Sequence, residues 1–425
     1  MTVTLLVAIF TLGYLAITLE HAIKVNKSAS ALVTGVVCWT VCVMLAPDRE
    51  PVLQALEQQF ADIAGILFFL LGAMVIVELI DAHNGFDSLG VLFRTRHKVK
   101  LLWGASLVTF FLSALLDNLT TTIVMVTLMR RLIPSRNDRL IFAGMTVIAA
   151  NAGGAWSPLG DVTTTMLWIG KQITPATTIT TLILPSLACL IAPLALLSLT
   201  TKGELLPAAP QEKHSIAPGW ERTLVLSLGF GALIAVPICK TVTHLPPFMG
   251  MLLGLGGMWL LTELVHGEKD DADHGVLSVN HALRKIDAPS ILFFLGILLA
   301  VSALEAAGVL TAASTWLQAR IQSLAVVSLL IGLLSAVVDN VPLVAAMQGM
   351  FPLEQFPTDH VFWQFLTYCS GTGGSALIIG SAAGVAAMGI EKIDFFLYMK
   401  RVTGLALLGY AAGAAVFIAQ RGALF

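Results

Sequence analysis

Three carboxylates stand inside apolar stretches of this chain, each beside amides and hydroxyls. Asp117 and Asn118 interrupt Ser113-Ala114-Leu115-Leu116-Asp117-Asn118-Leu119-Thr120, and Asp339 and Asn340 interrupt Ser335-Ala336-Val337-Val338-Asp339-Asn340-Val341-Pro342 at the matching place. Asp161 closes Asn151-Ala152-Gly153-Gly154-Ala155-Trp156-Ser157-Pro158-Leu159-Gly160-Asp161, with Thr163, Thr164 and Thr165 just beyond it. An ionisable group in hydrocarbon costs roughly 2.5–3.5 kcal/mol on insertion scales, so residues of this kind mark an ion or substrate path. Carboxylates, amides, hydroxyls and backbone carbonyls are hard oxygen ligands with net negative charge, and no Lys or Arg falls deep within these segments. The set suits a small cation and disfavours a bare anion. A proton and a sodium ion would compete for the same carboxylates, which is exchange without further machinery.

The elements that must hold these residues follow from composition. Hydrophobic residues make up 57% and charged residues 12% of 425, against about 25% charged in soluble domains. Mean hydropathy is +0.86. This is an all-α polytopic membrane protein. The net charge of −2 speaks against a nucleic-acid partner. The apolar run 3–19 reads as a retained span, not a signal peptide, since no basic region precedes it and no small-residue cleavage site follows. Cys38, Cys42, Cys189, Cys239 and Cys369 read as small buried hydrophobes, with no disulfide and no metal centre.

A hydrocarbon core about 30 Å thick takes roughly 20 apolar residues per helix. On that length, spans are expected at 3–20, 29–46, 61–80, 140–170, 175–199, 223–240, 246–265, 288–308, 361–390 and 401–420. Two stretches resist this parsing. Residues 101–132 carry Asp117-Asn118 at their centre and basic flanks at both ends, Arg94, Arg96, Lys98 and Lys100 before and Arg130, Arg131, Arg136 and Arg139 after. Short cytoplasmic loops collect Lys and Arg, so both ends belong inside and a re-entrant hairpin is expected. Residues 321–353, with Glu354 and Asp359 beyond, would be its counterpart from the outer side. Threading from an outside N-terminus puts most of the 24 Lys and Arg inside, with both termini on the outer side of a cell inner (plasma) membrane.

The duplication extends beyond the tips. Residues 62–70 resemble 287–295, and Gly153-Gly154 resembles Gly373-Gly374. Two inverted-topology repeats are therefore expected, each with a re-entrant helical hairpin and a broken transmembrane helix. The division is 1–28, an N-terminal span; 29–200, the first repeat, with its hairpin at 101–132 and broken helix at 140–170; 201–245, a connector and linking span; and 246–425, the second repeat, with its hairpin at 321–353 and broken helix at 361–390. Residues 201–221 and 266–284 read as cytoplasmic connectors. Broken-span ends at 151–161 and at Ser370-Gly371-Thr372-Gly373-Gly374-Ser375 would offer carbonyls to a cation or amides to an anion. Glycines such as those in 380–384 also permit close helix packing. A phosphate loop at 371–375 is excluded by the missing Lys-Ser/Thr continuation.

On the stretches 113–122, 151–165, 335–342 and 371–375, the sequence resembles the NhaD-type sodium/proton antiporters of the ion-transporter superfamily, over nearly the whole chain. The resemblance implies exchange of cytoplasmic Na⁺ or Li⁺ for external H⁺, a homodimer embedded in membrane lipid, and an elevator-type mobile domain. It implies transport roles for Asp117, Asn118, Asn151, Asp161, Thr163, Asp339 and Asn340. Na⁺ would sit at Asp117, Asn118, Asp161, Asp339 and Asn340, with Ser113, Thr120, Ser157, Ser335, Ser370, Thr372 and Ser375 as supporting ligands. Segments 87–99 and 310–322 would be interfacial helices joining two domains. No cofactor is implied, and no enzyme activity. The alternatives are a Na⁺-coupled carboxylate symporter of the same superfamily and, more distantly, a membrane-embedded aspartyl enzyme using two of the three carboxylates.

Overall fold

Long apolar runs with few charges satisfy their backbone internally only as helices, and helices are what form. The computed structural model describes residues 2–86, 93, 95, 97–201, 203–204, 218–266, 277–321 and 323–421. In chain order the helices are α1 (Thr2–Thr18), α2 (Glu20–Ile23), α3 (Lys27–Leu45), α4 (Glu50–Ala82), α5 (Lys98–Leu116), α6 (Asn118–Leu132), α7 (Arg136–Ala155), α8 (Val162–Ile169), α9 (Pro175–Thr200) and α10 (Gly219–Thr243). They continue with α11 (Pro247–His266), α12 (Val279–Lys285), α13 (Ala288–Ala306), α14 (Val309–Arg320), α15 (Leu324–Leu334), α16 (Asn340–Met350), α17 (Val361–Gly373), α18 (Ala382–Glu391), α19 (Phe395–Arg401) and α20 (Thr403–Arg421). Among the described residues there is no strand beyond one isolated bridge, His97 to Glu204.

Among the described residues eight helices are long and apolar enough to cross a membrane: α3, α4, α5, α9, α10, α11, α13 and α20. The chain is a multi-pass membrane protein. Three details differ from the length-based parsing. Helix α4 runs 33 residues, about 50 Å at 1.5 Å per residue, because Pro51 in its first turn and the Glu-, Gln- and Leu-rich stretch 50–60 extend it beyond the apolar run. Helix α5, expected to be half of a hairpin, has 19 residues and is long enough to cross by itself. Within 266–284, read as a connector, α12 forms behind a Ser278 cap and buries Val279 and Ala282. Segment 87–99 lies largely outside the described residues; 310–320 falls within α14, Ile321 follows its end, and Gln322 is also outside the described residues. The direction of the chain bends by 117° between α14 and α15.

The two halves repeat a packing plan. Helices α5 and α6 both lie on α7, as α15 and α16 both lie on α17. At the first contact a side chain on Gly153 would strike the Phe110 carbonyl; at the second, one on Gly373 would strike the Gly332 carbonyl. Only a residue without Cβ allows such backbone approach. The halves then interlock, because α7 crosses α17, α18 lies against α6, and α8 lies against α16. Helices α9 and α20 pair along their length. A second group, α1, α3, α4, α10, α11, α12 and α13, flanks this body, with α3 on α13 and α11 on α4.

Candidate functional site

The apolar runs break where the polar residues stand. Asp117 alone separates α5 from α6, with φ 80° and ψ 160°. That region is essentially reserved for glycine and costs of order 1–3 kcal/mol in another residue. It is held by the side chain: Oδ1 accepts from the Thr120 N–H at 2.8 Å and Oδ2 from the Thr120 hydroxyl at 2.9 Å. Asp339 caps α16 in an ordinary conformation, φ −50° and ψ 135°, and Oδ1 accepts from Val341 N–H at 3.1 Å.

The first broken helix stops at Ala155 and resumes at Val162. Trp156 stacks on Phe110 at 5.8 Å, and the Ser157 hydroxyl donates to the Ala114 carbonyl at 2.5 Å, which pins the crossover onto α5. Asp161 precedes α8 without a side-chain capping bond. Its Oδ2 instead accepts from Asn340 Nδ2 at 3.3 Å and from the Thr163 hydroxyl at 3.2 Å. Asn118 Nδ2 donates to Asn151 Oδ1 at 3.0 Å, and Asn151 Nδ2 donates to the Ser375 and Ser381 hydroxyls at 2.9 and 3.0 Å. These amides therefore tie each tip to a broken helix: Asn118 to Asn151 in its own half, Asn340 to Asp161 in the other.

One cavity, of about 90 Å³, is lined by Asp117, Asn118, Thr120, Asp161, Asp339 and Asn340. This is room for a small ion with a few waters. Asn151 and Thr163 are fully buried behind that lining. Among the described residues no three His, Cys, Asp or Glu side chains converge on one point. The three carboxylates face a common space without forming one ligand cluster. The remaining expected ligands hydrogen-bond to the backbone: Ser113 donates to the Ala150 carbonyl, Ser335 to that of Gly332, Ser370 to that of Thr367 and Thr372 to that of Tyr368. Ser375 accepts from Asn151.

The cavity adjoins a wider one of about 490 Å³, sharing Lys27, Ser290, Asp339 and Ala382 with it and reaching Asp287 and Ile390. A further cavity joins Thr120 to Glu78, Asp81, Lys285 and Asp287. That end of the molecule is basic: Lys98 pairs with Asp138 at 2.9 Å, Arg139 with Glu391 at 2.9 Å and Lys285 with Glu78 at 3.2 Å. At the opposite end Asp359 accepts from Thr174 N–H at 2.7 Å, and Gln348 donates to Gln172 at 2.8 Å.

A family model described as citrate transporter matches residues 1–367. Sodium/proton antiporter 1 of Arabidopsis thaliana is 49% identical over 97% of this chain and 71% of its own length; sodium/proton antiporter 2 of the same plant is 47% identical over 97% and 98%. The Na(+)/H(+) antiporter NhaD of Vibrio cholerae is 32% identical over 95% and 88%. The chain belongs to the NhaD-type sodium/proton antiporter family. It is a transporter, not an enzyme.

For an NhaD-type chain two groups outside the expected ligand set stand at or beside the cavity. Ser381, expected to serve helix packing, lines the wider adjoining cavity, and its hydroxyl accepts from Asn151 and from Gly384 N–H. No Lys or Arg is expected deep within the polar segments, and Lys27 falls in none of the spans expected from length. Its ammonium lines the cavity, 3.8 Å from Asp339 Oδ2. Lys27 lies far from the tip in sequence and opens an ordinary apolar helix, so no local pattern marks it; the pairing of α3 with α13 brings it there.

Proposed function

We propose that this chain exchanges cytoplasmic Na⁺ or Li⁺ for external H⁺ across a cell membrane, by competition of cation and proton for Asp117, Asp161 and Asp339. The observation that carries the reading is the single cavity in which these three carboxylates meet the amides of Asn118 and Asn340 at helix breaks. The sodium/proton antiporters at 47–49% identity support the choice of cargo. Two inverted repeats with re-entrant hairpins belong to the same proposal. Support comes from contacts at the ends: Lys98, at the start of α5, meets Asp138, six residues after α6 ends, so the 98–132 segment returns to the side it left. Glu391 at the end of α18 meets Arg139 at the start of α7, whereas Asp359 before α17 meets Thr174 after α8, so the broken helices run in opposite senses. The basic end would be cytoplasmic, both chain termini external, and the tip-bearing body would move as an elevator against the α3–α13 side within a homodimer.

Proton movement in everted membrane vesicles tests the exchange. NaCl or LiCl, but not KCl, should collapse a respiratory pH gradient in the wild type. D117N should lower the initial rate about a hundredfold, as expected when an interaction with an ionised group is lost. A cation-independent signal, or full activity in D117N, rejects the site. The citrate-transporter family match favours a second reading, a sodium-coupled carboxylate symporter. Three carboxylates facing the cavity weigh against a polyanionic cargo. Sodium-driven uptake of labelled citrate by the same vesicles would establish it instead. For the hairpin, cysteines placed at Lys98 and Ser135 should react with an impermeant reagent from the same side of the membrane.

A further inference from the structure

Lys27 is the first residue of α3, directly after the Asn26 cap. A cation at a helix N-terminus opposes the helix dipole, typically by about 0.3–1 kcal/mol. A lysine fixed in that place calls for an anionic partner. Its position is fixed: Asn26 accepts from Ser28 N–H at 2.8 Å, the Ser28 hydroxyl donates to the Pro289 carbonyl at 2.6 Å, and Gly35 and Gly296 let α3 and α13 pack backbone to backbone. The α3–α13 pair thus presents an ammonium to Asp339, which stands on a different element, the start of α16.

The contact has an unusual character for an ion pair. Charge-assisted hydrogen bonds close to about 2.7–2.9 Å; here the separation is 3.8 Å, and the side chains remain 38% and 30% exposed. Lys27 Nζ also lies 4.5 Å above the Phe293 ring, a cation–π contact that does not need the carboxylate. Asp339 Oδ1 is occupied by Val341 N–H, which leaves Oδ2 as the oxygen shared between Lys27 and any cation in the cavity. Asp117 and Asp161, by contrast, bond to hydroxyl, amide and backbone donors and have no basic partner within ion-pair distance among the described residues. The wider adjoining cavity is lined by Lys27 and by Asp287, whose carboxylate accepts from the Ser290 N–H and hydroxyl, so the ammonium has open space to turn into.

We propose that Lys27 is an exchangeable counter-ion: it neutralises Asp339 while the site holds no cargo and is displaced toward the vestibule when a monovalent cation binds, so that loading substitutes one positive charge for another. This rests on the reading of the cavity as the cation site. It makes Lys27 a competitor of Na⁺ carried by the flanking helices, and any sliding of the tip-bearing body past α3 would break the pair.

The test is the Na⁺ concentration for half-maximal exchange in vesicles at alkaline pH, together with Na⁺-dependent thermal stabilisation of the purified protein, which reads binding without transport. Removing the competitor in K27M, and in K27Q as a second neutral variant, should lower half-saturation in both assays by about threefold or more, since the available fraction of the site rises. K27R should keep the wild-type value. In a D339N background the K27M effect should vanish. Unchanged or raised half-saturation in both neutral variants, or an equal drop without Asp339, overturns the proposal. Full exchange by D117N would sink the cavity reading itself; an inactive D117N beside an unaltered K27M sinks only the role of Lys27.

Discussion

Asp161 and Ser381 occupy the same position in the two halves, the residue before the second segment of a broken helix. Their backbones are nearly superposable, φ −148° and ψ 147° against φ −146° and ψ 154°. The Ser381 hydroxyl caps its own helix at Gly384 N–H and also accepts from Asn151, an amide of the other half. Asp161 makes no cap and turns its carboxylate to Asn340 and Thr163 at the cavity. The supports differ as well. Aromatic stacking of Trp156 on Phe110 and the Ser157 bond hold the first crossover, while Tyr398 and Thr403 donate to the Ser375 and Ala376 carbonyls at the second. The tips show the same divergence, a single strained Asp117 against a relaxed Asp339 beside Lys27. One backbone plan, used twice, carries a charge at one crossover and a helix cap at the other.

This contrast can be broken by exchange measurements first. D161N should cost about a hundredfold in initial rate, since an ionised ligand becomes neutral, whereas S381A should cost only a few-fold. S381A should instead lower stability by about 0.5–2 kcal/mol, the range for a lost cap, read from the thermal melt. Equal rate losses would show that both crossovers serve the cation alike. A finer test uses backbone strain. D117G and D117A both remove the carboxylate, but only glycine relieves φ 80°, so D117G should be the more stable of the two by about 1–2 kcal/mol. At the second tip φ −50° suits either residue, so D339G and D339A should differ by less, about 0.5–1 kcal/mol, the preference of an N-cap for glycine over alanine.

Much of this was legible in residue order. Glycine, proline and aspartate inside apolar runs announce a helix break, and breaks fall at 117, 156–161 and 335–339. The second broken helix, expected to open at 370–375, instead stays helical through Ala376 and breaks at 377–381, because Gly373 packs on the Gly332 carbonyl within a continuous helix. The polar pairs Asp117-Asn118 and Asp339-Asn340 stood out because hydrocarbon makes such residues costly. Supporting hydroxyls were less readable. The protons of Ser113, Ser335 and Thr372 go to helix carbonyls, an outcome set by how closely a neighbouring turn approaches, and donation leaves their oxygen lone pairs open to a cation. Length alone also failed to separate a crossing from half a hairpin at α5, since 19 apolar residues fit either.

Composition and order therefore determine the helices, their breaks and the carboxylates they carry, because these follow from hydrogen bonding and desolvation along a single stretch of chain. Which groups share a cavity is decided by packing between distant segments. Asn340 reaches Asp161 because the halves interlock, and Lys27 reaches Asp339 because α3 is clamped to α13. Neither pairing has a local cause, and so neither leaves a mark in the sequence around it.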